Sequence, residues 1–391
     1  MAILNRFSEM LPEISEWRRD LHAHPELRFE EHRTADFVAA KLKEFGCDEV
    51  VSGFGKTGVV GVIRGVSGSS NRTIGFRADM DALPIHEATD LPHASKISGK
   101  MHACGHDGHT SMLLGAAKYL AETRKFDGKV VVVFQPAEEG GGGARAMIED
   151  GLMERWNVNE IYGMHNMPGL PIGEFAVRTG AQMASPDKFE ISVRGKGGHG
   201  AMPHLAIDTT LVASQIVVAM QSIASRNINP MQNVVVSVCG FRTETDTYNV
   251  IPNSVHLRGT VRTFEPDVQR EVRSRINALA ISTADAYGAV AEVEHVSGPP
   301  ALVNHECEAD LAADVALQVC GVAHRDMEAK MAGEDFSEML VERPGAYLFV
   351  GNGNSADLHN PFYDFNDEVI PFGCSWFVRM AEQRLSPISI A

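Results

Sequence analysis

Between Met101 and His109 the chain reads Met-His-Ala-Cys-Gly-His-Asp-Gly-His, which places a thiol, a carboxylate and three imidazoles within nine residues. These side chains bind borderline-soft divalent ions. Cys104 and His106 are two apart, so an extended or tightly turned loop can point both at one site. A His-rich polar turn with a reduced cysteine is the plain alternative, and the rest of the chain has to decide between the two.

Further on, Gln135-Pro136-Ala137-Glu138-Glu139 runs into four glycines, Gly140 to Gly143, after the apolar, β-branched Lys129-Val130-Val131-Val132-Val133-Phe134. That stretch reads as a buried strand. Two adjacent carboxylates at a strand's C-terminal end cannot face the same way. One can hold a cation while the other reaches a water beside it, which is the division of labour between Lewis acid and general base in a metallohydrolase. An isolated Glu-Glu pair is more often a solvated acidic turn. The glycine run is not a phosphate loop, because no Gly-Lys-Ser/Thr closes it. Gly55-Lys56-Thr57 has that ending but carries Val50 where the loop needs glycine. A third cluster, Met164-His165-Asn166, follows the apolar Ile161-Tyr162-Gly163. A fourth, Asp357-Leu358-His359-Asn360-Pro361, follows the strand-like 346–350. Three of the four clusters come just beyond strand-like runs, where open α/β sheets form their crevices, so they can converge.

The ordered set Cys104-Gly105-His106-Asp107-Gly108-His109, Glu138-Glu139-Gly140, Met164-His165-Asn166, Gly195-Lys196-Gly197-Gly198-His199, Gly333-Glu334-Asp335-Phe336 and His359 resembles the dinuclear metal amidohydrolase, aminoacylase and carboxypeptidase family. Within it, the branch of hippurate hydrolases and auxin–amino-acid-conjugate hydrolases is the nearest match. The likeness runs from Arg19-Asp20-Leu21-His22-Ala23-His24-Pro25-Glu26 to Pro361-Phe362-Tyr363. It implies five ligands: Cys104 in a bridging or near-bridging position, with His106, Glu139, His165 and His359 completing two metal positions. It also implies Glu138 as general base. Much of the wider family opens its ligand set with His-x-Asp. Here the corresponding Arg77-Ala78-Asp79-Met80-Asp81 has no His, as this branch's use of Cys104 requires. Asp79 and Asp81 are then expected to hold ligands from behind.

A thiolate, three imidazoles and a carboxylate favour zinc, cobalt or nickel over magnesium or calcium. Two divalent ions per subunit are expected, zinc first, with manganese open.

The 391-residue chain is long enough for two domains with sizeable cores, and 44% hydrophobic residues fit a globular protein. A net charge of −16 with no basic stripe argues against nucleic acid and anionic membranes as partners. No apolar run has transmembrane length, and residues 1–20 lack the pattern of a secretory leader. Six scattered cysteines, one of them needed as a thiolate, suit a reducing cytoplasm.

The elements that must position these residues read as follows. Ile14, Trp17 and Leu21, then Phe37, Val38, Leu42 and Phe45, fall at helical spacing, with Gly46 placed to end the second helix. Strands are expected at 58–63, 73–76 and 130–134, with a helix at 109–123. This alternation gives a mostly parallel sheet covered by helices. From Pro186 the texture changes. Alternating strands at 188–194, 234–238, 255–261 and 290–296 surround long helices near 205–225 and 266–286, forming a two-layer α+β module. The fold class is therefore α/β: a metallopeptidase-type catalytic domain, residues 1–184 and 297–391, with an inserted α+β domain at 185–296. The resemblance makes that insert a lid and dimerisation domain, so a homodimer or higher homo-oligomer is expected.

The resemblance also places His199 where an imidazole polarises the scissile carbonyl, in its own or a partner's site. Asn249 and Arg262 resemble the family's substrate-contacting residues, and an Arg can hold a carboxylate by paired hydrogen bonds. Three functions follow. The first is a metal-dependent amidohydrolase that cleaves N-acyl amino acids (hippurate, N-acetyl amino acids, indole-acetyl conjugates or N-acetyl-diaminopimelate). The second is a dipeptidase or carboxypeptidase of the same fold, and the third is a non-catalytic metal-binding protein. Retention of Glu138 with all five ligands weighs against the third.

Overall fold

A computed structural model describes residues 2–66 and 70–386, which fall into two compact units. One comprises Met1–Gln182, Val303–Glu328 and Asp335–Ala391; the other comprises Met183–Leu302 and Ala329–Glu334.

The first unit is built on an eight-stranded sheet. Its order is Glu49–Phe54, Gly58–Arg64, Lys129–Gln135, Thr73–Asp79, Glu160–Pro168, Gly345–Gly353, Phe175–Ala176 and Ala323–His324. The four strands from Lys129–Gln135 to Gly345–Gly353 are mutually parallel. The first two pair antiparallel at one edge. Parallel strands covered on both faces need continuous apolar runs, and Val130 to Phe134 has no exposed surface. Helices Ala2–Ala23, His106–Thr123 and Ile370–Arg384 pack on one another, while His32–Glu44 covers the antiparallel edge. The helix His32–Glu44 stops at Phe45, and Gly46 takes φ 79°, the left-handed turn that glycine permits.

From Thr73–Asp79 the chain passes through His106–Thr123 to a strand on one side, then returns to Glu160–Pro168 on the other. The reversal opens a crevice at the C-terminal ends of these strands. The helix begins at His106 rather than at 109. Gly108 lies inside the helix, where the Phe365 ring is 2.3 Å from the place its Cβ would occupy.

The second unit is a four-stranded antiparallel sheet in the order Val235–Thr243, Ser254–Thr263, Ser185–Arg194 and Val290–Val296. Phe189, Ile191 and Val193 are buried with Val212, Ile216 and Met220 of Thr209–Ser222 and with Val268, Val272, Ile276, Ala280 and Ala284 of Pro266–Ala286. The i, i+4 spacing puts each helical set on a single stripe. Asp208 caps the shorter helix by accepting the N–H groups of Thr210 and Leu211 at 2.9 and 3.2 Å, which contributes about 1 kcal/mol.

Candidate metal centre

Each candidate ligand in the first unit is delivered by an element that ends or turns at the crevice. Cys104 and His106 flank Gly105, whose φ of 89° turns the chain into the helix. His165 sits inside Glu160–Pro168 rather than beyond it, because pairing with Gly345–Gly353 continues past it, with Phe349 opposite His165. Glu138 and Glu139 follow Lys129–Gln135, and His359 follows Gly345–Gly353 in the left-handed conformation at φ 64°. The backbone N–H of His359 is held by the Ala103 carbonyl at 2.7 Å.

These elements bring the five side chains together. Ligand atoms of Cys104, His106 and His165 lie within 4.8 Å of one another, and so do those of Cys104, Glu139 and His359. The two triads share the thiol. Cys104 Sγ is 3.3 Å from His165 Nε2, and Glu139 Oε1 is 3.2 Å from His359 Nε2. A third group, His106, Glu138 and Glu139, meets the same limit and puts the expected base beside the ligands.

The surroundings decide which atoms are available. His165 Nδ1 donates to the Asn166 carbonyl at 2.6 Å, which leaves Nε2 as the lone-pair nitrogen. Burial, reinforced by His109, holds His165 well below the ordinary imidazole range, so the ring is neutral. Nδ1 of His106 faces Asp81 at 3.3 Å, and its Nε2 is buried with no hydrogen-bond partner among the described residues. Glu139 Oε1 is likewise buried and unpaired by hydrogen bonds. Burial disfavours a charge on His106, yet Asp79 and Cys104 outweigh it and push its pKa well up. The pocket therefore attracts positive charge where that proton sits. Burial, then Glu139, pushes the Cys104 thiol well above its usual range. A buried imidazole nitrogen and a buried carboxylate oxygen that make no hydrogen bond, beside a buried sulfur, fit divalent ions of the zinc type.

The second layer was only partly foreseen. Asp81 accepts the backbone N–H groups of Glu138 and Glu139, one on each oxygen at 3.0 Å, and so fixes the turn that carries both carboxylates. Contrary to the expectation that adjacent carboxylates cannot face the same way, both reach the His106 side of the crevice, with oxygens within 4.8 Å of each other. Glu31 takes the Ala137 N–H at 2.9 Å, and Arg28 donates to the Glu139 carbonyl at 2.9 Å. The glycine run completes that turn: a Cβ on Gly143 would lie 1.6 Å from the Pro136 carbonyl oxygen. Asp79 is held by Arg77 at 2.7 Å and His109 at 2.6 Å. Burial would raise its carboxyl, but His106, Arg77 and His109 keep it well below the carboxylate range. His109 also meets a metal-like spacing with Asp79 and His106, but its nitrogens are spent. Nδ1 faces Asp79, and Nε2 accepts the Asn166 N–H at 2.9 Å. Asn166 itself donates to the Cys104 carbonyl and accepts from the Tyr363 hydroxyl, both at 2.7 Å. An Asn next to a ligand His was the one sequence signal for that role.

In the second unit, His199 lies on the two-residue strand Gly198–His199, opposite Val250. Its Nδ1 accepts the Ala201 N–H at 3.0 Å, which makes the exposed Nε2 the protonated nitrogen. The Asn249 carbonyl accepts the Gly200 N–H at 2.8 Å, so Asn249 is beside His199. Arg262 is elsewhere. The His199 hairpin is tied to Asn253, whose Oδ1 takes the Gly197 N–H at 3.0 Å, whereas Arg262 is near the far end of Ser254–Thr263. Nine strand residues separate the two points by roughly 30 Å. Arg262 Nε donates to the Met331 carbonyl at 3.0 Å, and Nη1 is taken by Thr260 and the Val261 carbonyl.

The sequence profile of peptidase family M20/M25/M40 matches residues 75–383. The chain belongs to this family. It is 41% identical to a hippurate hydrolase of Campylobacter jejuni over 97% of this chain and 99% of that protein. With an N-acetyl-L-cysteine deacetylase of Bacillus subtilis it shares 42% identity over 94% of this chain and 87% of that one. The crystal structure of a dinuclear metal binding peptidase of the M20 family from Bacillus subtilis superposes with a TM-score of 0.85. It is 35% identical and covers 97% of this chain and all of that one. Membership makes this chain a hydrolase of amide bonds, and its donor groups could hold divalent metal. No helix among the described residues is long and apolar enough to cross a membrane.

Proposed function

We propose that this protein hydrolyses N-acyl amino acids of the hippurate or N-acetyl type to a carboxylic acid and a free amino acid. The observation that carries the reading is the pair of donor triads sharing Cys104, with Glu138 beside them. Cys104, His106 and His165 would hold one divalent ion, and Cys104, Glu139 and His359 a second, zinc first and manganese, cobalt or nickel next. When bound, the ions lower the pKa of the attacking water and polarise the substrate carbonyl.

Glu138 takes the proton from that water as its oxygen attacks the carbonyl carbon. His199 Nε2–H donates to the carbonyl oxygen as it becomes the tetrahedral oxyanion. Glu138 then returns the proton to the amide nitrogen, the C–N bond breaks, and the amino acid leaves with the free amine, the acyl group remaining as the carboxylic acid. Asn249 beside His199 and the guanidinium of Arg262 serve the substrate, Arg262 by pairing with its α-carboxylate.

The strand separating Arg262 from His199 is far longer than an N-acyl amino acid. This supports a homodimer in which one substrate meets Arg262 of one copy and His199 with Asn249 of the other. All six cysteines are free, in keeping with a cytoplasmic enzyme whose thiolate must stay reduced. The test is a panel of hippurate, N-acetyl amino acids, indole-acetyl conjugates and dipeptides, assayed alongside metal analysis. Faster turnover of N-acyl amino acids supports the reading; faster turnover of dipeptides gives the chain to the peptidases of its family.

A further inference from the structure

Outside the ligand cluster, the first helix carries a charged side chain that has no business in a core unless it is used. Arg18 is 1% exposed. Its Nε donates to Asp367 Oδ1 at 2.7 Å, and its Nη1 lies 3.6 Å from Asp364 and 3.5 Å from Asp107 Oδ2. Asp107 immediately follows the ligand His106, while Asp364 and Asp367 follow the ligand His359. One guanidinium thus joins two ligand-bearing segments that are remote in sequence.

The two segments need this tie unequally. His106 is buried, heads a helix and is braced by Asp81. Asp107 keeps a second partner in His22 Nδ1 at 2.9 Å. His359 is 54% exposed on its side chain and holds a left-handed backbone that only its surroundings can impose. Its segment is held by the His359 N–H on Ala103, the Ala88 N–H on the Pro361 carbonyl at 2.9 Å, the Tyr363 hydroxyl on Asn166, the Asn366 N–H on Asn352 at 2.9 Å, and the carboxylates on Arg18, with Asp367 also on Arg19 at 2.9 Å and Asp364 also on His93 at 3.1 Å. Of these, only Arg18 reaches across to the Asp107 carboxylate. A planar fork is the side chain suited to bridging carboxylates from two directions.

We propose that Arg18 is a positioning residue for the metal centre, holding the His359 segment against the Cys104–His106 loop and so setting the affinity of the ion that His359 binds. This rests on the ligand assignment above. The test is Zn(II) titration of the chelated protein against a chromophoric chelator, with stoichiometry read beside affinity. Arg18→Met should weaken one ion by about 10–100-fold and leave the other unchanged, the size expected when an outer-shell partner is removed. Arg18→Lys, which keeps the charge but not the fork, should recover part of the loss. Unchanged affinity for both ions, or equal weakening of both, would overturn the proposal. If Arg18→Met does not fold, the Asp364→Asn, Asp367→Asn pair removes the carboxylates that Arg18 holds on the His359 segment, together with their ion pairs to His93 and Arg19, and leaves Arg18 on Asp107. It should show the same single-ion loss, and retention of both affinities again overturns the idea. His359→Ala, run in parallel, separates the two readings: if it still binds both ions normally, the ligand assignment fails whatever Arg18 does.

Discussion

The carboxylate of Asp81 accepts the backbone N–H of Glu139 at 3.0 Å and spends its other oxygen on the N–H of Glu138. The proposed ligand and the proposed base are thereby aimed by one buried anion that bonds to the backbone of each. Asn at this position has a single acceptor oxygen and would turn an N–H group toward one of the two donors. Asp81→Asn should lower turnover about 10–100-fold while the protein stays folded, as for other partners that orient ligands. Unchanged kcat in a folded variant would mean that the glycine turn alone sets the two carboxylates.

On the proposed assignment Glu138 and Glu139 divide the chemistry, and substitution separates them. Glu138→Gln should keep its metal and lose at least about 10²-fold in turnover, the scale of a general base. Glu139→Ala should lose one ion. Metal analysis beside kcat checks both, and the reverse pattern would exchange the two roles.

Much of this arrangement was legible because ligand chemistry is local. Cys104-Gly105-His106, Glu138-Glu139 and His359 each announce themselves by residue type, and the run Val130 to Phe134 announces the strand that aims one of them. The supporting layer is not local. Nothing in the helical spacing of Ile14, Trp17 and Leu21 singles out Arg18, which the contact with Asp367 buries. His109 reads as one more candidate ligand until Asp79 and Asn166 occupy both its nitrogens. The return of residues 329–334 to the second unit carries no composition signal, since pairing of the Ala184 N–H with the Lys330 and Ala332 carbonyls is set by tertiary contact.

Cys104 provides a chemical test of the shared thiol. At 7% exposure, its thiol is pushed well above the ordinary range by burial and by Glu139 when no ion is bound. A raised pKa means little thiolate near neutrality, so the chelated protein should alkylate slowly and faster as pH rises. The loaded protein should resist throughout, because the sulfur is coordinated. Mass spectrometry after chelation reads the difference, with Cys239 and Cys307, both exposed, as metal-independent controls. Identical Cys104 labelling in both states would remove it from the ligand set.

His22 provides a test in stability. Burial opposes its charge, but Asp107 at 2.9 Å and Glu87 at 3.3 Å outweigh that and raise it from 6.5 to about 9. A folded-state pKa above the unfolded one gives stability that is fully present below about 6.5 and is lost as pH rises through about 9. Denaturation of the chelated wild type and His22→Gln should therefore differ by on the order of 3 kcal/mol at the acid end of that window, with the gap closing toward its alkaline end. A gap that stays flat across it would mean that the folded protein holds His22 neutral.

His199 tests the link between the inserted unit and the reaction. Its Nδ1 is occupied by the Ala201 N–H, so the exposed Nε2–H is a preset donor. Such a donor acts on charge that exists only in the transition state, so its loss should appear in kcat more than in KM. His199→Ala should cost about 10²–10³-fold in kcat, with metal content and melting temperature unchanged, since no ligand is touched. The strand between His199 and Arg262 adds a sharper expectation. If the two serve one substrate from two copies, a heterodimer of His199→Ala and Glu138→Gln subunits holds one site with an intact base and an intact imidazole. Mixing the two inactive variants should then restore a fraction of wild-type activity as subunits exchange. Verified heterodimers that stay inactive would show that each chain completes its own site, and a near-normal rate for His199→Ala alone would leave this residue as a hairpin histidine.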